Sequence, residues 1–327
     1  TAQELINYLE APLNPEEKRP DCTLIKIEKK KEQKQPPLLF NLAELQNTCS
    51  RRFKISPDET LKIVQELYEK KMVTYPRTDA RVLSSAIAKV VADNVKGLKS
   101  FSEETAVICD TILDNGYIDS IQKRTRYVDD TKITDHYAII PTGQGMGALK
   151  GLPNLSQRVY DVIVRRFLSI FYPPAVYQKV SIVTKIKEES FFSSFKVLAE
   201  EGYLKVTGVP GRKNDNNDNK DNTDSSADST EDKDTDAAFF ARIQSLKKGM
   251  TLPVQSLDIK EGKTSPPKRY NSGSLILAME NAGQLIEDEE LRSQIKGSGI
   301  GTSATRAEIL KKLNKKRKIY KRFDDSK

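Results

Sequence analysis

Residues 73–79, Val-Thr-Tyr-Pro-Arg-Thr-Asp, contain a tyrosine and an arginine that could act together on a phosphodiester. Pro76 fixes a turn after Tyr75, and Arg77 lies two residues on, so both side chains point to one side of an extended segment. Attack on phosphorus by a phenol, whose pKa is ordinarily near ~10, builds negative charge that a guanidinium can bind bidentately. The segment indicates a tyrosine nucleophile with an electrostatic helper, although a surface turn with a half-buried tyrosine fits the same residues.

Further polar residues could support this chemistry. Thr78 and Asp79 can orient the loop, and Asp79 could bond the neighbouring guanidinium or cap the next turn. His136, the only histidine of the chain, stands in the segment 134–142, Thr-Asp-His-Tyr-Ala-Ile-Ile-Pro-Thr. A lone histidine is more often a structural hydrogen-bonding residue, but this one could contact phosphate or handle a proton beside the tyrosine if Asp135 holds its ring. Nothing in the spacing indicates a metal site.

Residues 296–308, Lys-Gly-Ser-Gly-Ile-Gly-Thr-Ser-Ala-Thr-Arg-Ala-Glu, place a glycine-rich backbone before a predicted helix. Exposed N–H groups at a helix start can bind an anion, so Thr305 and Arg306 could bind a strand phosphate. The segment matches neither the P-loop nor the dinucleotide-binding pattern, so neither nucleotide hydrolysis nor NAD binding is expected. A plain glycine-rich helix start remains the alternative.

Capping residues predict the helices that position these segments. Ser56-Pro57-Asp58-Glu59 is a capping box with proline at the first helical position, and its helix is expected to reach Lys71. Its buried face is expected to consist of Leu61, Val64, Leu67 and Tyr68. Further helices are predicted at 42–53, 84–95, 102–113, 156–171 and from Ser274 onward.

β-branched and aromatic residues in partial alternation predict strands on both sides of the helical block. These strands are expected at 22–27, 177–183, 191–198 and 252–259. Strands before and after a block of helices indicate a β domain into which a helical domain is inserted. The expected fold class is therefore α+β.

Composition limits the possibilities further. The chain has 327 residues, of which 31% are charged, and no run of 18 apolar residues, which argues against a spanning helix. Cys22, Cys49 and Cys109 show no CxxC spacing, which argues against a disulfide scaffold or a four-cysteine zinc site and fits a reducing compartment. The N-terminus shows no secretory signal and no starting Met, so we expect a fragment.

Charge is unevenly distributed along the chain. Residues 215–236 hold nine acids and two bases, a net charge of −7, so the net charge of +8 becomes +15 on the remainder. A basic chain favours polyanionic partners, nucleic acid first, although simple solubility would also explain it. The low-complexity stretch 211–237 is expected to be a mobile loop insertion, because it has too few apolar residues to offset the entropy of ordering.

Together the segments resemble the type IA DNA topoisomerases, most closely the bacterial topoisomerase III branch. The resemblance is carried, in the family's order, by residues 36–46 (Pro-Pro-Leu-Leu-Phe-Asn-Leu-Ala-Glu-Leu-Gln), 74–79, 135–142, 265–270 (Ser-Pro-Pro-Lys-Arg-Tyr) and 299–307. It implies an ATP-independent enzyme that cleaves one DNA strand through a 5′-phosphotyrosine link, passes another strand and reseals the first. It also implies that Tyr75 is the nucleophile, with Arg77 stabilising the scissile phosphate.

The same resemblance assigns DNA contacts and partners. The residues implied to contact DNA are His136, Thr78, Asp79, Arg269, Thr305 and Arg306. The implied partners are single-stranded and underwound DNA, without nucleotide or membrane, in a cytoplasmic, nucleoid-associated setting. Mg²⁺ is implied for the full-length enzyme, with its ligands in a Toprim domain. No DxD motif occurs in the first 60 residues, so we expect no metal site in this chain and no DNA cleavage by it alone.

The implied fold is the family's torus without its Toprim wall. Residues 1–39 and 177–265 are expected to form a β-rich arch that acts as hinge, with the acidic insertion 211–237. Residues 40–176 are expected to form the helical, tyrosine-bearing domain, and 266–327 part of the helical domain that grips single-stranded DNA. Two other functions remain open: a non-catalytic single-strand-binding module, with Tyr75 stacking on a base, and an interaction protein that works through its acidic tract.

Overall fold

The computed structural model describes residues 1–11, 21–208, 241–285 and 299–313. The acidic insertion 211–237 lies outside the described residues. The chain divides into two compact units, and the α+β prediction is confirmed. The first unit comprises Thr1–Gln35, Pro174–Gly202 and Gly208–Pro266, and the second comprises Pro36–Pro173, Tyr203–Thr207 and Pro267–Lys327. The assignment of arch, tyrosine-bearing and strand-gripping domains stays a prediction.

The first unit is built on one antiparallel sheet. Its elements are helix α1 (Ala2–Glu10), strands β1 (Cys22–Lys34), β2 (Ala175–Ile186), β3 (Glu189–Glu200) and β4 (Thr251–Leu252), and helical residues 241–245, with strand order β3-β2-β1-β4. The register pairs Ile27 with Ile182 and Val180 with Phe195. β2 and β3 join through a two-residue turn in which Lys187 adopts a left-handed φ of 51°. Three of the four predicted strands are confirmed and are longer than expected.

The prediction of a strand over 252–259 is wrong beyond its first residue. Only Thr251–Leu252 pairs with β1, and residues 253–271 form no regular element. Pro253 follows immediately and has no N–H to donate, so it ends the ladder. The partial alternation of apolar residues that suggested a strand continues through a largely exposed segment.

The second unit is mainly helical. Its helices are α2 (Leu42–Phe53), α3 (Pro57–Glu69), α4 (Ser85–Gly97), α5 (Glu103–Asp114), α6 (Asn154–Ser169), α7 (Leu204–Thr207) and α8 (Ser272–Glu280), followed by helical residues 306–313. Short 3₁₀ segments occupy Leu98–Ser100, Ile121–Lys123, Asp130–Lys132, Met146–Gly151 and Ala282–Leu285. The side chains of Ser56, Ser84 and Ser102 each accept a backbone N–H three residues on, so these three serines are confirmed as N-caps. The predicted capping box is only half formed, because the Glu59 side chain does not return a bond to the Ser56 N–H.

The buried face of α3 differs from the expected one by a fraction of a turn. Ile63, Val64 and Leu67 are buried, whereas Leu61 is half-buried and Tyr68 is 39% exposed. The helix ends at Glu69, so Tyr68 lies in its last turn beside the loop that carries Tyr75. The prediction that Tyr68 belongs to the buried face is wrong, because the helix turns that residue toward an open cleft.

A small apolar cluster holds α8 and residues 306–313 against α2. Ala43, Ile276, Met279, Ala307 and Leu310 are all buried together there. A fully buried Ile, Leu or Met side chain contributes roughly 1.5–3 kcal/mol. The last described segment is thus part of the same packed unit as the helices around Tyr75. Within the described ranges, no helix combines the length and the apolarity needed to cross a membrane.

Candidate active site

Two loop segments of the helical unit, 72–74 and 138–142, are joined by hydrogen bonds between their backbones and through the Thr74 hydroxyl. The N–H of Thr74 donates to the carbonyl of Ile140 over 3.0 Å, and its hydroxyl donates to the carbonyl of Ala138 over 3.0 Å. The N–H of Ile140 returns a bond to the Thr74 hydroxyl over 3.0 Å, and Thr142 donates to Met72 over 2.9 Å. The tyrosine-bearing loop and the histidine-bearing loop are therefore held in a fixed register.

This register brings Tyr75 and His136 together. Their ring centroids lie 4.4 Å apart at an interplanar angle of 45°, with Tyr75 half-buried and His136 exposed. The structure therefore brings together two of the residues that the sequence predicted to act together.

Thr78 fastens the two loops. Its buried hydroxyl donates to the carbonyl of His136 over 2.8 Å and accepts the N–H of Ala80 over 3.1 Å. Its carbonyl accepts the N–H of Leu42, at the start of α2, over 3.1 Å. Because both groups have partners within the protein, the structure gives Thr78 a positioning role; its predicted contact with DNA stays untested.

An open cleft of about 590 Å³ lies beside the tyrosine. The residues lining it are Tyr68, Glu69, Lys71, Val73, Thr74, Tyr75, His136, Tyr137, Thr142 and Gln144. Tyr68 meets Tyr75 edge-on, with ring centroids 5.5 Å apart. Burial raises the pKa of the Tyr137 phenol, so this group keeps its proton at neutral pH. The aromatic walls of this cleft were missed from the sequence, apart from Tyr75 and His136.

Arg77 is exposed on the loop that follows Tyr75. Among the described residues, none forms a hydrogen bond or ion pair with its guanidinium, and Arg77 does not line the cleft. The structure thus leaves this cation free to meet an anion from outside the unit.

Asp79 and Arg306 form an ion pair across 227 positions of the chain. Nη1 of Arg306 donates to Oδ1 of Asp79 over 3.0 Å; the arginine side chain is 6% exposed and the aspartate 53%. The remaining groups of this guanidinium bond to backbone carbonyls, Nε to Ile300 over 3.2 Å and Nη2 to Gly301 over 3.1 Å. The expected contact of Arg306 with a DNA phosphate does not suit this buried, occupied side chain.

Glu280, at the end of α8, completes the polar cluster. Nδ2 of Asn41 donates to its Oε1 over 2.6 Å, and the same nitrogen donates to the carbonyl of Asp79 over 3.2 Å. Burial, reinforced by repulsion from Asp79, raises the pKa of Glu280, while attraction to Arg306 and the bond from Asn41 partly offset that effect.

The other predicted DNA contacts are exposed. Thr305 accepts the N–H of Thr302 at its hydroxyl over 2.9 Å, within the turn that begins residues 306–313. Arg269 lies in a fully exposed stretch, and the described residues give it no partner. The structure does not pack Arg269 against the Tyr75 loop.

The described residues do not offer the donor set that Mg²⁺ requires, several carboxylate oxygens close together. Within residues 1–11, 21–208, 241–285 and 299–313, no group of three or more His, Cys, Asp or Glu side chains could hold a metal ion. The carboxylate nearest in sequence to the nucleophile candidate, Asp79, is engaged by Arg306. The described residues therefore do not fit a magnesium site.

Comparison with known proteins gives consistent matches. A family model described as DNA topoisomerase matches residues 9–323. DNA topoisomerase 3 of Bacillus licheniformis is 34% identical over 298 residues, and that of Bacillus subtilis is 33% identical over 300. These alignments cover 89% and 88% of this chain but 37% of each relative. Full-length topoisomerase I from Thermotoga maritima shares the fold, with a TM-score of 0.59 and 20% identity over 95% of this chain and 42% of that one.

Proposed function

The chain belongs to the type IA DNA topoisomerase family, and on that premise we propose that it carries the segment whose tyrosine cleaves and reseals DNA. The observation that supports this best is the placement of Tyr75 beside His136, with ring centroids 4.4 Å apart on two cross-bonded loops at an open cleft. The chain spans about 37% of the length of the two Bacillus relatives named above. The activity of the whole protein is therefore part of the proposal.

The proposed reaction exchanges one phosphodiester for another. The Tyr75 oxygen bonds to phosphorus and loses its proton, while the sugar 3′ oxygen leaves with the bonding pair and gains a proton. The DNA 5′ end is then held as a phosphotyrosine, and the reverse attack by the 3′ hydroxyl reseals the strand. Because the two bonds are similar in energy, the reaction needs no ATP.

The side chains divide into two roles in this proposal. Exposed Arg77 binds the scissile phosphate and meets the charge that grows on it, and His136 contacts DNA beside that phosphate. Exposed Thr305 and Arg269 bind the strand that leads to the site. These groups present free or exposed polar atoms, which suits contact with a polyanion.

The proposed substrate is single-stranded or underwound DNA, through whose break a second strand passes. The net charge of +8 favours such a partner, in the bacterial cytoplasm where the nucleoid lies. Since the described residues do not fit Mg²⁺, any bound cation and its acid–base partners would come from outside them. We propose that these 327 residues bind DNA but do not cleave it by themselves.

A second candidate is a non-catalytic single-strand-binding module. The cleft supports it, because Tyr68, Tyr75, His136 and Tyr137 offer aromatic surface on which bases could stack. In that case the Tyr75 ring matters and its hydroxyl does not.

Tyr75→Phe in the full-length protein distinguishes the two functions, because it keeps the ring and removes the nucleophilic oxygen. The catalytic proposal expects relaxation of underwound DNA to vanish while single-strand affinity stays within about twofold. Tyr68→Phe is the matched control, since it removes a hydroxyl from the same cleft, and it should keep its relaxation activity. Normal relaxation by Tyr75→Phe would favour the binding module instead.

A further inference from the structure

We propose that Asp79 and Arg306 form a positioning pair that couples the glycine-rich segment 299–305 to the loop carrying Tyr75, and that Arg306 is not a DNA contact. The inference rests on the proposed function, in which Tyr75 is the nucleophile, but its structural part can be tested without DNA.

Every nitrogen of the Arg306 guanidinium is engaged within the protein. Its three nitrogens each donate to a protein acceptor, on Ile300, Gly301 and Asp79, over 3.0 to 3.2 Å. With 6% of the side chain exposed, a phosphate could reach it only by displacing these acceptors. A buried arginine that has lost the carboxylate with which it pairs would be strongly disfavoured, so the ion pair is expected to persist when DNA binds.

Asp79 is fixed by its backbone as well as its side chain. Its carbonyl accepts a hydrogen bond from Asn41, which also caps α2 by accepting the N–H of Glu44 over 2.9 Å. The same Asn41 amide bonds to Glu280 at the end of α8. The loop that begins at Tyr75 is thereby attached, four residues later, to two helices.

The start of the glycine-rich segment lies close against the end of α8. A Cβ on Gly299 would lie 2.7 Å from the carbonyl oxygens of Met279 and Glu280 and 3.0 Å from Nη2 of Arg306. The N–H of Ile300 also donates to the carbonyl of Met279 over 2.7 Å. Segment 299–301 and the end of α8 therefore move together.

These contacts form a short path between a proposed DNA contact and the proposed nucleophile. Exposed Thr305 directly precedes Arg306, and Arg306 pairs with Asp79, four residues after Tyr75. A strand held at Thr305 would thus stabilise the same arrangement that places Tyr75. Coupling of this kind requires a second arrangement in which these contacts are broken, and DNA held at Thr305 would disfavour that arrangement.

The test compares amide hydrogen exchange at two distant probes, Ala80 and Ile300, in Asp79→Asn and Arg306→Lys. Both amides are hydrogen-bonded in this cluster. Each substitution is expected to accelerate exchange at both amides, about tenfold. The double variant should be no faster than the faster single variant, because each change breaks the same pair.

Asp58→Asn is the matched control. It breaks the exposed ion pair between Asp58 and Lys311, which also joins residues 306–313 to an earlier helix, and it should leave both probes unchanged. Acceleration confined to Ala80 in Asp79→Asn would overturn the coupling. Unchanged exchange at both amides in both variants would also overturn it. If Arg306→Lys fails to fold, Asp79→Asn alone is enough for the comparison.

Measurements with DNA distinguish a positioning role of Arg306 from direct contact with a DNA phosphate. In the full-length protein, Asp79→Asn and Arg306→Lys should slow cleavage at saturating DNA while single-strand affinity stays within about twofold. A weaker affinity for Arg306→Lys, together with normal exchange at Ala80, would make Arg306 a phosphate contact and overturn the proposal. If Tyr75→Phe still relaxed DNA while both amides remained coupled, the proposed function would fail and the structural link would stand.

Discussion

The hydroxyl of Thr78 donates to the carbonyl oxygen of His136 over 2.8 Å, from a residue only 4% exposed. This bond joins the loop that carries Tyr75 to the loop that carries the histidine, 58 positions later in the chain, and adds to the bonds that Thr74 makes with the same loop. The relative placement of the two rings therefore depends in part on a buried side chain that touches neither ring.

Thr78→Val should disturb that placement without changing side-chain size. The His136 carbonyl and the Ala80 N–H would lose their partner, which costs about 1–3 kcal/mol of unfolding free energy. Cleavage by the full-length protein should fall more than its single-strand affinity, because the rings shift while exposed contacts remain. Denaturant unfolding and single-turnover cleavage measure the two effects. Thr78→Ser, which keeps the hydroxyl, should behave nearly as the parent; equal losses in Ser and Val would contradict this account.

Arg77→Lys should reduce cleavage strongly although it conserves charge. A guanidinium binds two phosphate oxygens in a fixed geometry and an ammonium does not, so we expect a loss of about 10²-fold or more in the single-turnover rate. Affinity for single strands should change only a few-fold. Arg126→Lys, at another exposed arginine, serves as control. A lysine variant that cleaves at the parental rate would remove Arg77 from the chemistry.

Glu280 should make stability fall as pH rises. Its raised pKa means that the folded chain binds this proton more tightly than the unfolded chain, so stability is lost as pH rises from the unfolded value of about 4.5 through the folded one. Glu280→Gln mimics the protonated acid and can still accept the bond from Asn41. The free energy of unfolding of Glu280→Gln, relative to that of the parent, should therefore rise between about pH 4 and about pH 7. A fall in this relative free energy would show that attraction between Glu280 and Arg306 outweighs the effect of burial.

Arg269→Gln should weaken single-strand binding in a salt-dependent way. Loss of one phosphate contact is expected to lower the slope of log affinity against log salt by about 0.7. Titrations at several salt concentrations give the slope, and Lys89→Gln on the exposed side of α4 is the control. An unchanged slope in Arg269→Gln would exclude this residue from the DNA contacts.

Local sequence signals predicted the helices well, because a cap acts within one turn. Ser56, Ser84 and Ser102 each bond to the backbone three residues on, as expected from the sequence. The strand expected to continue to Ile259 failed at Pro253, where the missing N–H outweighed the apolar alternation. Tyr68 was misplaced because a periodic face does not show where a helix opens onto a cleft.

The sequence predicted only part of the candidate active site. Tyr75 and His136 were recognised from their motifs, and the structure brings their rings together. Arg306 was expected to face DNA, since an arginine beside a glycine-rich turn suits an anion. Its actual partner, Asp79, lies 227 positions away, and no local pattern encodes that pairing. Asp79 was expected to pair within its own loop or to cap the next turn, because local sequence shows only neighbouring partners.

The most direct test of the central claim is to map the covalent link in the full-length protein. Incubation with labelled single-stranded DNA and magnesium, followed by denaturation, digestion and mass spectrometry of the labelled peptide, identifies the attached residue. We predict a 5′-phosphoryl adduct on the Tyr75 oxygen that is absent from Tyr75→Phe and present in Tyr68→Phe. An adduct on another residue, or DNA relaxation without any adduct at Tyr75, would contradict the account.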